Sequence, residues 1–84
     1  MNLFVSNISR TIKADELKQL FESVGDVKSV KIISDKYTGE SKGFGFVEMT
    51  NDNQGLLAIQ QLTDTELRGR RLTVTKAKPR ISGY

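Results

Sequence analysis

Three phenylalanines and a lysine are the residues of this sequence whose types and spacing could do chemistry. The run Lys42-Gly43-Phe44-Gly45-Phe46-Val47-Glu48-Met49 is short, apolar and aromatic-rich, with a polar stretch before it, and has the pattern of a β-strand. Side chains on a strand alternate between faces. One face carries Lys42, Phe44, Phe46 and Glu48; the other carries Gly43, Gly45, Val47 and Met49. Lys and Glu are almost never fully buried unless paired, so the first face is the open one. Two phenylalanines then point at water while two glycines face the core, the reverse of a strand shaped only for stability. The glycines are expected to let a helix approach the sheet closely. A flat ring beside a lysine suits a nucleic-acid base and its phosphate.

The elements that must position this strand can be read along the chain. Residues 2–6 form a first strand, with Leu3 and Val5 inward and Asn2, Phe4 and Ser6 on the polar side, so a third phenylalanine joins the open face. Residues 14–24 read as a helix, because Leu17, Leu20, Phe21 and Val24 make one apolar stripe. Asp15 and Glu16 suit its first turn, Gly25 is expected to end it, and Lys13 is a poor cap. Residues 27–34 make a second strand with Val30 and Ile32 inward and Ser29, Lys31 and Ile33 outward. A polar loop through Tyr37 leads into the central strand.

Asn51 or Asp52 is expected to cap a second helix running to Leu62, with Leu56, Ile59 and Leu62 as its core stripe and Ala58 at the edge. Gly55 inside it would cost about 1 kcal/mol against Ala. Residues 63–69 form a loop with room for a small hairpin. Residues 71–75 make the last strand, Leu72 and Val74 inward and Arg71, Thr73 and Thr75 outward, after which Pro79 prevents further pairing. The order βαββαβ is the split βαβ, or ferredoxin-like, α+β arrangement: a four-stranded antiparallel sheet with two helices on one face. Its first and third strands are central neighbours, so Phe4, Phe44 and Phe46 converge.

Composition narrows the chemistry. The 84 residues make one small domain without cysteine or histidine. That excludes disulfides, thiolate metal sites, His-based triads and a His switch, so neither metal nor cofactor is expected. No apolar run reaches the length of a membrane span, and the start of the chain lacks a signal-peptide layout, which points to the cytoplasm. Net charge is +3. From Arg68 onward there are six basic residues and no acid, against seven basic residues and ten acids before it, so a +6 end follows a −3 body. A basic edge of that kind fits a polyanion passing one margin of the domain.

The central octamer resembles the first ribonucleoprotein motif of the RNA recognition motif (RRM) family, K/R-G-F/Y-G/A-F-V-x-F/Y. Seven of its eight positions agree, counting the free one; Met49 stands where an aromatic is usual, on the inward face. Leu3-Phe4-Val5-Ser6-Asn7-Ile8 resembles the family's second motif, with Ser6 in place of the common Gly. The resemblance covers residues 2–78, within a domain of residues 1–78 followed by a basic tail, residues 79–84. It runs to short bacterial proteins that carry a single RRM.

The resemblance implies a monomeric single-stranded RNA-binding module serving RNA metabolism or post-transcriptional regulation. Phe4 and Phe44 would each stack a base, Phe46 would pack on the sugars, and Lys42 would pair with the phosphate between. Asn2, Lys31, Ile33, Glu48 and Thr75 line the same face and would tune base preference. Lys76, Ala77 and Lys78 would read the edge of a stacked base, and Arg80 would attract phosphate. Four rival readings remain open from sequence: single-stranded DNA as the ligand, a protein interface on the aromatic face, a tail folded over it through Ile81 and Tyr84, and, weakest, an acylphosphatase-like enzyme. The last needs a Gly-rich phosphate cradle after the first strand, and Asn7-Ile8-Ser9-Arg10-Thr11 lacks one.

Overall fold

Alternating apolar residues in four strands and two amphipathic helices leave one economical arrangement, in which both helices cover the same side of the sheet. A computed structural model describes residues 1–39 and 41–77, and of residues 41 and 42 the backbone only. The elements are β1 (Asn2–Ser6), α1 (Ala14–Glu22), β2 (Val27–Ser34), β3 (Ser41–Met49), α2 (Asp52–Leu62), β4 (Glu66–Leu67), β5 (Arg70–Arg71) and β6 (Thr73–Lys76). The main sheet is antiparallel with order β2-β3-β1-β6, and β4 and β5 form a separate two-stranded hairpin. The expected βαββαβ fold is present, with the small hairpin inserted before the last strand.

The core lies between the sheet and the helices. Leu3, Val5, Val47, Met49 and Val74 bury from the strands, Leu72 from the link between β5 and β6, Leu17 and Phe21 from α1, and Ala58 and Leu62 from α2. Ile8 and Ile12, in the connection before α1, close one end of it.

Each helix begins differently. Lys13 offers α1 no side-chain cap, whereas Asn51 Oδ1 accepts from the backbone N–H groups of Asn53 (2.8 Å) and Gln54 (3.2 Å) at the start of α2. α1 stops at Glu22, two residues short of the sequence expectation, and its C-cap Ser23 stays right-handed. Gly25 is therefore not the left-handed terminator expected. A Cβ there would run into the Gln54 side chain, which lies across it to accept the Asp26 N–H at 2.9 Å.

Three further expectations are corrected. Leu56, expected on the core stripe of α2, is 51% exposed, and Leu57 is 42% exposed. The buried stripe is Gly55, Ala58 and Leu62, with Ile59 beside it. Gly55 belongs there because Met1 packs on it: a Cβ would sit 2.6 Å from Met1 Sδ. The β3 glycines make room for backbone and not for a helix. A Cβ on Gly45 would strike the Lys31 carbonyl oxygen of β2, and Gly43 adopts φ +84 where β3 slips register against β2. The last strand starts at Thr73, since Arg70 and Arg71 are taken by the hairpin.

Candidate nucleic-acid interface

The register between β1 and β3 decides which side chains meet. Phe4 stands opposite Phe46, Ser6 opposite Phe44 and Asn2 opposite Glu48. On one side β6 places Thr75 beside Phe4, and on the other β2 places Lys31 beside Phe46. The neighbours in the ladder, Leu3, Val5 and Val47, are fully buried against the helices. Period-two alternation therefore sends Phe4, Phe44 and Phe46 to the opposite, helix-free face.

The rings form one cluster. Phe4 lies 5.8 Å from Phe44 and 5.5 Å from Phe46 between centroids, with planes inclined at 43° and 54°. These are separations at which aromatic pairs attract, so the rings partly shield one another and all three are half-buried. The sequence expectation of rings standing in water is thus modified: each gives up some of its surface to its neighbour.

Polar groups frame the cluster. Glu48 is paired at 3.6 Å with Lys28, which the sequence reading did not include, and takes a long 3.5 Å contact from Ser29 Oγ. Asn2, Lys31, Thr75 and Lys76 are exposed, and Ile33 and Ala77 are half-buried. The Ala77 N–H donates to the Asn2 carbonyl at 2.8 Å, which carries the chain past β6 alongside β1. The Lys42 side chain, Lys78 and Arg80, all expected at the site, lie outside the described residues, as do Ile81 and Tyr84. Tyr37 is 97% exposed in a turn closed by Asp35 Oδ1, which accepts from the backbone N–H groups of Tyr37 (2.7 Å) and Thr38 (3.2 Å).

The end of β1 holds a feature the sequence reading passed over. Ser6 stays extended, and the left-handed conformation falls on Asn7 (φ 60), a residue type that tolerates it. Asn7 Nδ2 donates to the Arg71 carbonyl at 2.7 Å, and Asn7 Oδ1 accepts from Arg70 Nη1 at 3.1 Å. The hairpin turn has positive φ at Arg68 (51°) and Gly69 (83°), as a two-residue type I′ turn requires. The guanidinium of Arg68 then grips Glu16 of α1, with Nε to Oε2 at 3.1 Å and Nη2 to Oε1 at 2.9 Å. Asn and Arg at such sequence distance give no pairing signal; only the fold brings them together.

Among the described residues no three His, Cys, Asp or Glu side chains gather as a metal site would need, and no helix is long and apolar enough to cross a membrane.

A four-stranded antiparallel sheet in the order β2-β3-β1-β6, with two helices on one face, defines a class of protein. Residues 3–73 match the family model described as RNA recognition motif, and the chain belongs to that family. It is 42% identical over 80 residues to RbpA of Nostoc sp., covering 95% of this chain and 78% of that one. It is 44% identical over 79 residues to RNA-binding protein CP29B, chloroplastic, of Arabidopsis thaliana, covering 94% of this chain and 27% of that one. Among solved structures, RNA Binding Protein PG1 superposes with a TM-score of 0.91 at 40% identity, covering 98% of this chain and 99% of that one. The Sxl-lethal protein/RNA complex gives a TM-score of 0.89 at 33% identity over 93% of this chain and 47% of that one.

Proposed function

We propose that the protein binds single-stranded RNA on the open face of its sheet and carries out no catalysis. The observation that carries this reading is the ring cluster, with Phe4 5.8 Å from Phe44 and 5.5 Å from Phe46 on the face away from both helices. Relatives support it: CP29B and PG1 are named RNA-binding proteins, and the Sxl-lethal protein was solved with RNA. Phe4 and Phe44 each stack a base and Phe46 packs on the sugars between. Lys42 pairs with the intervening phosphate. Asn2, Lys31, Ile33, Glu48 and Thr75 tune base preference, Lys76, Ala77 and Lys78 read a base edge, and Arg80 adds phosphate attraction.

Magnitudes shape the expected ligand. Base stacking on an aromatic is worth roughly 1–3 kcal/mol, so two bases supply about 4 kcal/mol. Micromolar affinity needs about 8 kcal/mol. Phosphate pairing and base-edge hydrogen bonds supply the difference, which makes binding moderate, salt-dependent and limited to a few unpaired nucleotides. The working unit is a monomeric domain of residues 1–78 with residues 79–84 as a basic tail, acting in the cytoplasm in RNA metabolism. Filter binding with a random single-stranded RNA pool, a matched DNA pool and an RNA duplex tests it. Retention of the single-stranded RNA is expected; equal retention of the duplex overturns the stacking reading.

A further inference from the structure

The hairpin β4–β5 and its turn hold three arginines in different settings. Arg68 is closed onto Glu16 with both edges of the carboxylate engaged, which cancels its charge. Arg70 instead donates to an amide oxygen, Asn7 Oδ1, at 3.1 Å. An amide is neutral, so the guanidinium keeps its full charge, and among the described residues it has no carboxylate partner. Asn7 is itself held, its Nδ2 bonded to the Arg71 carbonyl at 2.7 Å. The hairpin is thus fastened to α1 through Arg68 and to the end of β1 through Asn7.

The location matters as much as the charge. Asn7 directly follows Ser6, and Ser6 stands opposite Phe44. The amide that holds the exposed Arg70 guanidinium therefore lies at the end of β1, one residue along the chain from the Phe44 pairing. This inference rests on the RNA reading above. We propose that Arg70, positioned by Asn7, binds the backbone phosphate of the nucleotide adjoining the one stacked on Phe44, where the strand leaves the sheet. A guanidinium presents a planar fork of five N–H donors; with one occupied by Asn7, another edge suits the two oxygens of a phosphodiester. Holding the side chain beforehand removes part of the ordering cost of binding.

Fluorescence anisotropy with labelled single-stranded RNA octamers and trimers, across a salt series, tests this. Arg70→Ala is expected to weaken octamer binding roughly two- to fivefold, as loss of an exposed ion pair would. The slope of log K against log salt should fall by about 0.7, one phosphate on a single strand. Trimers confined to the rings should bind unchanged, and Arg70→Lys should restore the slope. Asn7→Gly keeps the left-handed backbone, removes both side-chain bonds, and should weaken octamers without lowering the slope as Arg70→Ala does; adding Arg70→Ala to it should cost less than in the wild type. An unchanged octamer slope in Arg70→Ala overturns the assignment. If Phe44→Ala measured alongside also leaves binding intact, the sheet-face reading itself has failed; if Phe44→Ala binds weakly while Arg70→Ala is normal, only the Arg70 site is lost.

Discussion

Phe4 and Phe46 stand directly opposite one another across the β1–β3 ladder, ring centroids 5.5 Å apart and planes 54° from parallel. Cross-strand pairing at this spacing steadies both rings without hiding them. The helices seal the other side with Phe21, which is wholly buried. One chain therefore holds two populations of phenylalanine: one maintains the core, and the other stays half-open as a surface.

That division predicts opposite mutational signatures. Phe44→Ala should weaken single-stranded RNA binding by about 1–3 kcal/mol with little change in melting temperature. Phe21→Ala should cost about 3–5 kcal/mol of stability, read by urea denaturation. A melting temperature that collapses in Phe44→Ala with binding intact would place Phe44 in the core.

Lys42, at the start of the aromatic strand, should act through charge alone. Lys42→Ala is expected to weaken all RNA sequences alike and to lower the salt slope by about 0.7. A changed base preference at constant slope would contradict the phosphate role.

Gly45 is set by the neighbouring strand. A methyl group there would meet the Lys31 carbonyl oxygen and lie 3.0 Å from the Ile32 Cα, both backbone atoms that cannot move without shifting β2. Gly45→Ala should therefore destabilise the fold by about 1–3 kcal/mol, the usual range for overpacking. Wild-type stability in urea would show that the two strands can separate freely.

On α2 the cap and the exposed leucine give contrasting expectations. Asn51→Ala removes the acceptor for two N–H groups and should cost about 1 kcal/mol. In a domain of this size that lowers the melting temperature by about 4–8 °C. Leu56→Gln should stay within about 0.5 kcal/mol of wild type, because Leu56 points outward. Leu62→Ala should cost about 2–5 kcal/mol. A large loss in Leu56→Gln would restore Leu56 to the core.

These contrasts mark what the sequence could reveal. Sidedness was legible for β1, where Leu3 and Val5 alternate with Asn2 and Ser6, and for β3, where Glu48 marks the open face; in β2 the register shifts at Val27/Ser29 and Ile32/Ser34 break the period, and Lys28 reaches Glu48. Phe21 was legible from the i, i+3, i+4 stripe of α1. On α2 the same rule misplaced Leu56, since Leu56, Leu57, Ile59 and Leu62 supply apolar residues on several sides. Its small residues, Gly55 and Ala58, face the core because Met1 and the sheet come close. Gly25, Gly43 and Gly45 stood out, but the reasons expected for them, a helix end and a close helix, failed because the atoms that need the space come from distant parts of the chain. The Asn7–Arg70 bond spans 63 residues and leaves no local trace.

Aromatic 13C-edited NMR of the protein titrated with single-stranded RNA reads the central claim most directly. The ring resonances of Phe4, Phe44 and Phe46 should shift upfield together as bases stack on them, while those of Phe21 hold still. Binding that leaves these three rings unmoved, or that moves Phe21 with them, would contradict the open aromatic face as the site.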